Sequence, residues 1–259
     1  MVHDFWNYQL IALIVMILIM TIVWIIHLII RRADIVDIAW AYSLSILAGM
    51  FALLSPHEGL RPVLMAVLVG IWGLRLGTHL LLRIAGHEED GRYQQMRREG
   101  KGALDFFWFF QFQALLNVIL CIPFSFVALN PVNRLGFFEY AGLSIGVIAI
   151  IGESLADAQL RRFKARTGTR GQVCRDGLWK YSRHPNYFFE WLIWVALFVF
   201  ACGSPLGWIS FIGPLLMLYF LFKVTGIPAT EAQALRSKGL AYAEYQRTTS
   251  AFVPWVNKQ

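Results

Sequence analysis

The chain has 259 residues, 58% of them hydrophobic and only 15% charged, with a formal net charge of +7. That is too apolar for a soluble domain of this length. Its three cysteines, at 121, 174 and 202, have no paired spacing, which argues against a disulfide framework or a zinc site. No metal is expected.

Apolar runs about 20 residues long recur along the chain and predict an all-α, polytopic membrane protein in a single domain, 1–259. Seven transmembrane helices are expected, roughly over 9–30, 35–54, 61–83, 105–129, 136–156, 186–202 and 207–226. The first run is long enough to span and is followed by Arg31-Arg32, so it reads as a membrane helix rather than a cleaved signal peptide. Twenty of the 23 Lys and Arg residues fall on one face of this arrangement, two on the other, and Arg75 within a span. The N-terminus is then outside and the C-terminus cytoplasmic. The positive charge belongs to loops beside lipid, which argues against a nucleic-acid partner.

Asp37 shares a face of span two with Ala41, with Trp40 adjacent. Trp72, Arg75 and His79 share a face of span three. Arg75 lies about 12 Å from the span's basic end, too deep for relaxed snorkelling. An Asp–Arg pair between these spans either locks their packing or flanks a polar cavity. Just beyond span three comes Glu88-Glu89-Asp90-Gly91-Arg92-Tyr93, a dense polar turn able to close a site.

Span five is expected to continue past the membrane as a basic amphipathic extension, 153–165, with Asp157, Arg161 and Lys164 on one face. Together with Arg162, Arg170, Arg175 and Arg183 this is enough cation to hold several phosphates. Neither a Rossmann fingerprint nor a P-loop is present, so any nucleotide must be held by helix ends and loops. The stretch Gly177 to Glu190 joins this basic loop to span six. Pro185 suits a helix's first turn, and Asn186 reads as a cap or as an amide aimed at a ligand. Glu190, one turn on, is an acid just inside an apolar run, and such a group suggests a site. A surface helix over Thr230–Thr248 ends the chain.

The run Gly177-Leu178-Trp179-Lys180-Tyr181-Ser182-Arg183-His184-Pro185-Asn186-Tyr187 with Glu190 resembles the C-terminal region of the steroid 5-alpha-reductase family. The likeness extends to Glu153, Asp157, Arg161 and Lys164, and to the tail Tyr245…Phe252-Val253-Pro254-Trp255. The Glu89-Asp90-Gly91-Arg92-Tyr93 turn resembles the bacterial branch, which implies a bacterial inner membrane. The resemblance implies a seven-helix enzyme that uses NADPH to reduce the C4–C5 double bond of a 3-oxo-Δ4-steroid or a similar lipid enone. It puts Asp157, Lys164, Asn186, Glu190 and Arg75 at the cofactor. Asp90, Arg92, Tyr93, Arg161, Arg170, Tyr181, Arg183, His184 and Tyr187 complete that candidate set. Glu231 and Tyr245 stand where the family has a C-terminal His and Tyr. Asp37 and Trp72 are the nearest equivalents of its Gln-Glu pair and Tyr around the ketone, and with His79 they form the candidate catalytic set. The Arg183-His184-Pro185-Asn186-Tyr187…Glu190 run is also similar to isoprenylcysteine and phospholipid methyltransferases, which bind S-adenosylmethionine. The phosphate-suited basic face favours NADPH. A small transporter is a third reading.

Overall fold

The computed structural model describes residues 2–57, 59–166, 168 and 171–256. Every regular element among them is helical, apart from one isolated bridge between Ser182 and Ser250. The helices are α1 (Val2–Ile30), α2 (Ile35–Leu53), α3 (Leu60–Ile84), α4 (Gly91–Arg98), α5 (Ala103–Leu120) and α6 (Ile122–Ala128). They continue with α7 (Phe137–Lys164), α8 (Pro185–Ala201), α9 (Ile212–Tyr219), α10 (Ile227–Lys238) and α11 (Leu240–Thr248). Among the described residues six helical stretches are long and apolar enough to cross a membrane, and α8, with 17 residues, is a shorter apolar helix. The chain is a multi-pass membrane protein.

It divides into two compact units: residues 1–139 with 200–210, and residues 140–199 with 211–259. In the first unit α2 and α3 pack most closely. Gly73 and Gly77 make this possible: a Cβ at Gly73 would collide with Ser45 Oγ and the Ala41 carbonyl, and one at Gly77 with the Tyr42 ring. Small residues that let two backbones approach are the usual device where lipid gives no hydrophobic drive. The seam of α1 with α5 and α6 is pinned by polar contacts, from buried to exposed. Gln9 Nε2 donates to Ser125 Oγ (2.7 Å), Gln111 Nε2 to Thr21 Oγ1 (3.2 Å) and Trp24 Nε1 to the Ala103 carbonyl (2.9 Å). Asn117 Nδ2 of α5 also reaches the Trp40 carbonyl of α2 (3.2 Å).

The expected fourth span, 105–129, is broken at Cys121 into α5 and α6, with Pro123 in the first turn of α6. Proline has no N–H to continue the helix ladder and its ring clashes with the turn before it.

The second unit takes α7 from Tyr140 on; the helix is unbroken to Lys164, so its basic extension is the end of one helix. Gly152 lets α7 meet the Phe189 ring of α8. Trp191 Nε1 donates to the Pro214 carbonyl of α9 (3.1 Å). After α9 the helix widens into a π turn, Phe220–Val224, and then breaks at Gly226, where a Cβ would sit 2.6 Å from the Leu221 carbonyl oxygen. The single C-terminal helix expected over 230–248 is two helices. Gly239, at φ +54°, separates α10 from α11, a left-handed conformation that favours glycine.

Candidate functional site

One cluster of candidate residues lies in the first unit, around the first turn of α2. Asp90 starts α4 as its N-cap, its side chain accepting the Arg92 N–H at 3.0 Å. This cap aims the next two side chains at α2. Arg92 Nη2 meets Asp37 Oδ2 at 2.8 Å, while its Nε meets Asp90 Oδ1 at 3.0 Å. Tyr93 Oη donates to Asp37 Oδ1 at 2.8 Å, and its ring packs edge-on against Phe109. Burial, reinforced by the Asp37 carboxylate, pushes the Tyr93 phenol well above its ordinary pKa, so it remains a protonated donor. Asp90 moves the other way. Burial pushes its carboxyl up, but the hydrogen bonds and charge of Arg92 outweigh this and hold it below the usual carboxylate range.

A ring of further charges secures the cluster. Arg32 grips Asp34 (3.1 and 2.8 Å) and the Ile84 and His87 carbonyls (3.0 and 2.9 Å). Glu89 accepts the Ala33 N–H at 2.5 Å and pairs with Arg97 at 3.0 Å. The segments 31–34 and 84–92 are therefore laced together. Sequence reasoning assigned Asp37 to catalysis and Asp90, Arg92 and Tyr93 to the cofactor. The structure brings these four into one cluster. It also adds Glu89, from the same polar turn, and Arg32, Asp34 and Arg97, whose signal in the sequence was charge at the ends of adjacent spans. Trp72 is buried edge-on against Trp40, with ring centroids 6.2 Å apart. Arg75 and His79 are partly buried on the same face of α3.

The other cluster lies in the second unit, where α7 ends and α8 begins. Asp157 is buried and accepts from Asn186 Nδ2 at 3.4 Å, so α7 and α8 meet there through a carboxylate and an amide. Asn186 lies inside the first turn of α8 and does not cap it. Glu190 follows one turn later, partly buried. Arg161, Arg162 and Lys164 are exposed on the last turns of α7. The loop returning to α8 is held against α7: Gln159 Oε1 accepts the Leu178 N–H (2.9 Å) and Trp179 Nε1 donates to the Ala156 carbonyl (2.9 Å).

The remaining candidates are engaged with one another. Arg183 bonds Glu231 Oε1 of α10 (2.6 Å) and the carbonyls of Gln246 (2.9 Å) and Thr249 (2.6 Å). His184 Nε2 lies 3.2 Å from the same Glu231 oxygen, and its ring stacks on Tyr187 at 5.3 Å and 6°. Tyr187 Oη pairs with Thr230 Oγ1 at 3.2 Å. Tyr245 is buried and donates to the carbonyls of Trp179 and Ser182. Tyr181 is exposed, with the Lys180 ammonium over its ring. Arg170 lies outside the described residues. No group of three or more His, Cys, Asp or Glu able to hold a metal ion occurs among the described residues.

A family described as a protein of unknown function, DUF1295, matches residues 23–249. An uncharacterized protein of Schizosaccharomyces pombe is similar, 29% identical over 181 residues that cover 58% of this chain and 52% of that protein. The match thus spans about half the relative's length. No solved structure matches.

Proposed function

The chain belongs to the DUF1295 family, and within it we propose a membrane-embedded, NADPH-dependent reductase of the double bond in a steroid-like or other lipid enone. One observation carries this reading: the contact of Asp157 on α7 with Asn186 at the start of α8, with Arg161 and Lys164 exposed further along α7. A carboxylate and an amide in fixed geometry suit ribose hydroxyls and a carboxamide, and exposed cations suit phosphates. The donor set fits a phosphorylated dinucleotide better than a sulfonium cofactor, which has no phosphate to satisfy. The sequence resemblance to the steroid 5-alpha-reductase family agrees.

Asp157, Asn186 and Glu190 would hold the nicotinamide half, and Arg161 and Lys164 the phosphates. Bound there, NADPH would supply a hydride to the β-carbon of the enone. The protein's own task is to stabilise negative charge on the carbonyl oxygen and return a proton. Within the first unit taken by itself, Tyr93 is the side chain suited to give up a proton. Its phenol is buried, protonated and oriented by Asp37, and its proton sits on Oη beside a carboxylate whose charge Arg92 balances. Arg183, Glu231, His184 and Tyr245 serve by fixing the loop ahead of α8.

The test is NADPH oxidation by inverted membrane vesicles given a panel of Δ4-3-ketosteroids, beside a radiolabelled methyl-transfer assay. Steroid-dependent oxidation with NADPH preferred over NADH by roughly tenfold or more is expected, because a charged contact to the 2′-phosphate contributes about 1.5–3 kcal/mol. Methyl transfer without nucleotide oxidation would replace this reading with the methyltransferase one.

A further inference from the structure

The loop 181–184 is irregular backbone, yet Ser182 is fully buried and His184 nearly so. Buried N–H and C=O groups need partners; the Tyr181 and Ser182 N–H groups find theirs in the Leu178 carbonyl, and residues 250–255 supply others. Arg183 N–H donates to the Ser250 carbonyl at 2.8 Å, and Trp255 N–H donates to the Tyr181 carbonyl at 3.0 Å. Ser182 Oγ donates to the Phe252 carbonyl at 2.7 Å and accepts the His184 N–H at 3.1 Å. The Ser182 carbonyl accepts from Tyr245 Oη at 3.1 Å. Phe252 adds an apolar anchor, with ring centroids 5.6 Å from Phe188, 5.8 Å from Trp191 and 5.2 Å from Phe222. Pro185 begins α8 directly after these ties. A helix's first residues take their position from the backbone that delivers them, so the tail sets where Asn186 and Glu190 stand.

We propose that residues 250–255 form a clasp that positions the cofactor-binding end of α8, with Ser182 as its central positioning residue. The clasp itself follows from the hydrogen bonds. That its cargo is NADPH rests on the reading above. The tail acts through its backbone, and two of its side chains show this: those of Val253 and Trp255 are exposed, while the Trp255 N–H and the Phe252 carbonyl are in use. Loss of the clasp should therefore weaken nucleotide binding without unfolding the helices. Misplacement near 1 Å at such a site can cost on the order of 100-fold.

The contrast between two substitutions at one residue isolates the backbone bond. Trp255→Ala keeps the N–H and should behave as wild type. Trp255→Pro removes it. Ser182→Ala strands the Phe252 carbonyl and the His184 N–H together. Each variant of the full-length protein in detergent is assayed by NADPH fluorescence titration, by amide hydrogen exchange and by its melting temperature. Trp255→Pro and Ser182→Ala should each weaken NADPH binding roughly tenfold or more and raise exchange across 181–190. Exchange in α1–α3 and the melting temperature should stay near wild type. Unchanged exchange at 181–190 in both variants overturns the clasp. A wild-type protein that binds no NADPH while the variants still loosen 181–190 leaves the clasp standing and removes its proposed cargo.

Discussion

Arg61 and Arg92, both in the first unit, each pair with a carboxylate, and the two pairs differ in almost everything else. Arg61 Nε meets Glu139 Oε1 at 2.7 Å, with the two side chains 4% and 1% exposed. The Arg61 guanidinium also reaches the Val132 and Arg134 carbonyls, Glu139 accepts the Gly136 N–H at 2.8 Å, and Gly203 leaves room for the carboxylate. This pair is sealed and its hydrogen-bonding capacity is taken up within the protein. Arg92 and Asp37 meet at 2.8 Å but are 41% and 26% exposed, and Asp37 also holds the Tyr93 phenol. The same ion pair therefore makes a staple where water is excluded, and a tuned polar site where one side stays open and a titratable hydroxyl is attached.

The largest expected effect falls on the open pair. Tyr93→Phe keeps the ring against Phe109 and removes the hydroxyl, with its proton and its bond to Asp37. Enone reduction should fall by about 10²–10⁴-fold with little change in melting temperature, as read from turnover at saturating NADPH. Wild-type turnover would make the open pair as structural as the sealed one.

Next comes the sealed pair. Glu139→Ala leaves the Arg61 charge buried without its partner and should cost about 3–5 kcal/mol, measured by denaturant or detergent unfolding. A loss under about 1 kcal/mol, the range of exposed pairs, would erase the distinction.

The smallest effect belongs to the cap that aims Arg92 and Tyr93. Asp90→Ala should cost about 0.5–2 kcal/mol of α4 stability. The sign of its pH dependence follows from its lowered pKa. The stabilisation is fully present above the ordinary carboxylate value near 3.9 and is lost as pH falls through the lower native value. Wild type should therefore show an acid-side loss of protection in 90–98 by hydrogen exchange that Asp90→Ala lacks. Identical acid limbs in the two proteins would remove Asp90 from this role.

The membrane helices could be read from the sequence because a span's length and apolarity are local properties. Pro123 was legible as a residue, but a proline inside a long apolar run does not say by itself whether the helix bends or breaks. The short helix α4 was hidden by its polarity: eight residues with no apolar period look like a loop. Asp37 stood out as an acid near a membrane, while its partners Arg92 and Tyr93 lie 55 and 56 residues away, a pairing no local pattern encodes. The same holds for Arg61 and Glu139, 78 residues apart, neither of which carried a motif. Around α8 the motif residues were visible. Their mutual use as scaffolding was not, because a basic motif reads the same whether its arginine faces a phosphate or a carbonyl. Ser182 carries no chemistry of its own in the sequence, and only the tail folded onto it reveals its place.

The π turn at Phe220–Val224 has a consequence for how this chain can vary over evolutionary time. A π turn is a stretch of α-helix that carries one residue too many. Removing one residue there would restore the α ladder and rotate the departing chain by about 100°. Glu231, five residues into α10, would then leave the side on which Arg183 and His184 meet it. A one-codon deletion in this segment is thus a phase error rather than a shortening. A sister sequence lacking that residue must restore the phase with an added one before Ile227, or give up the Arg183–Glu231 bond altogether.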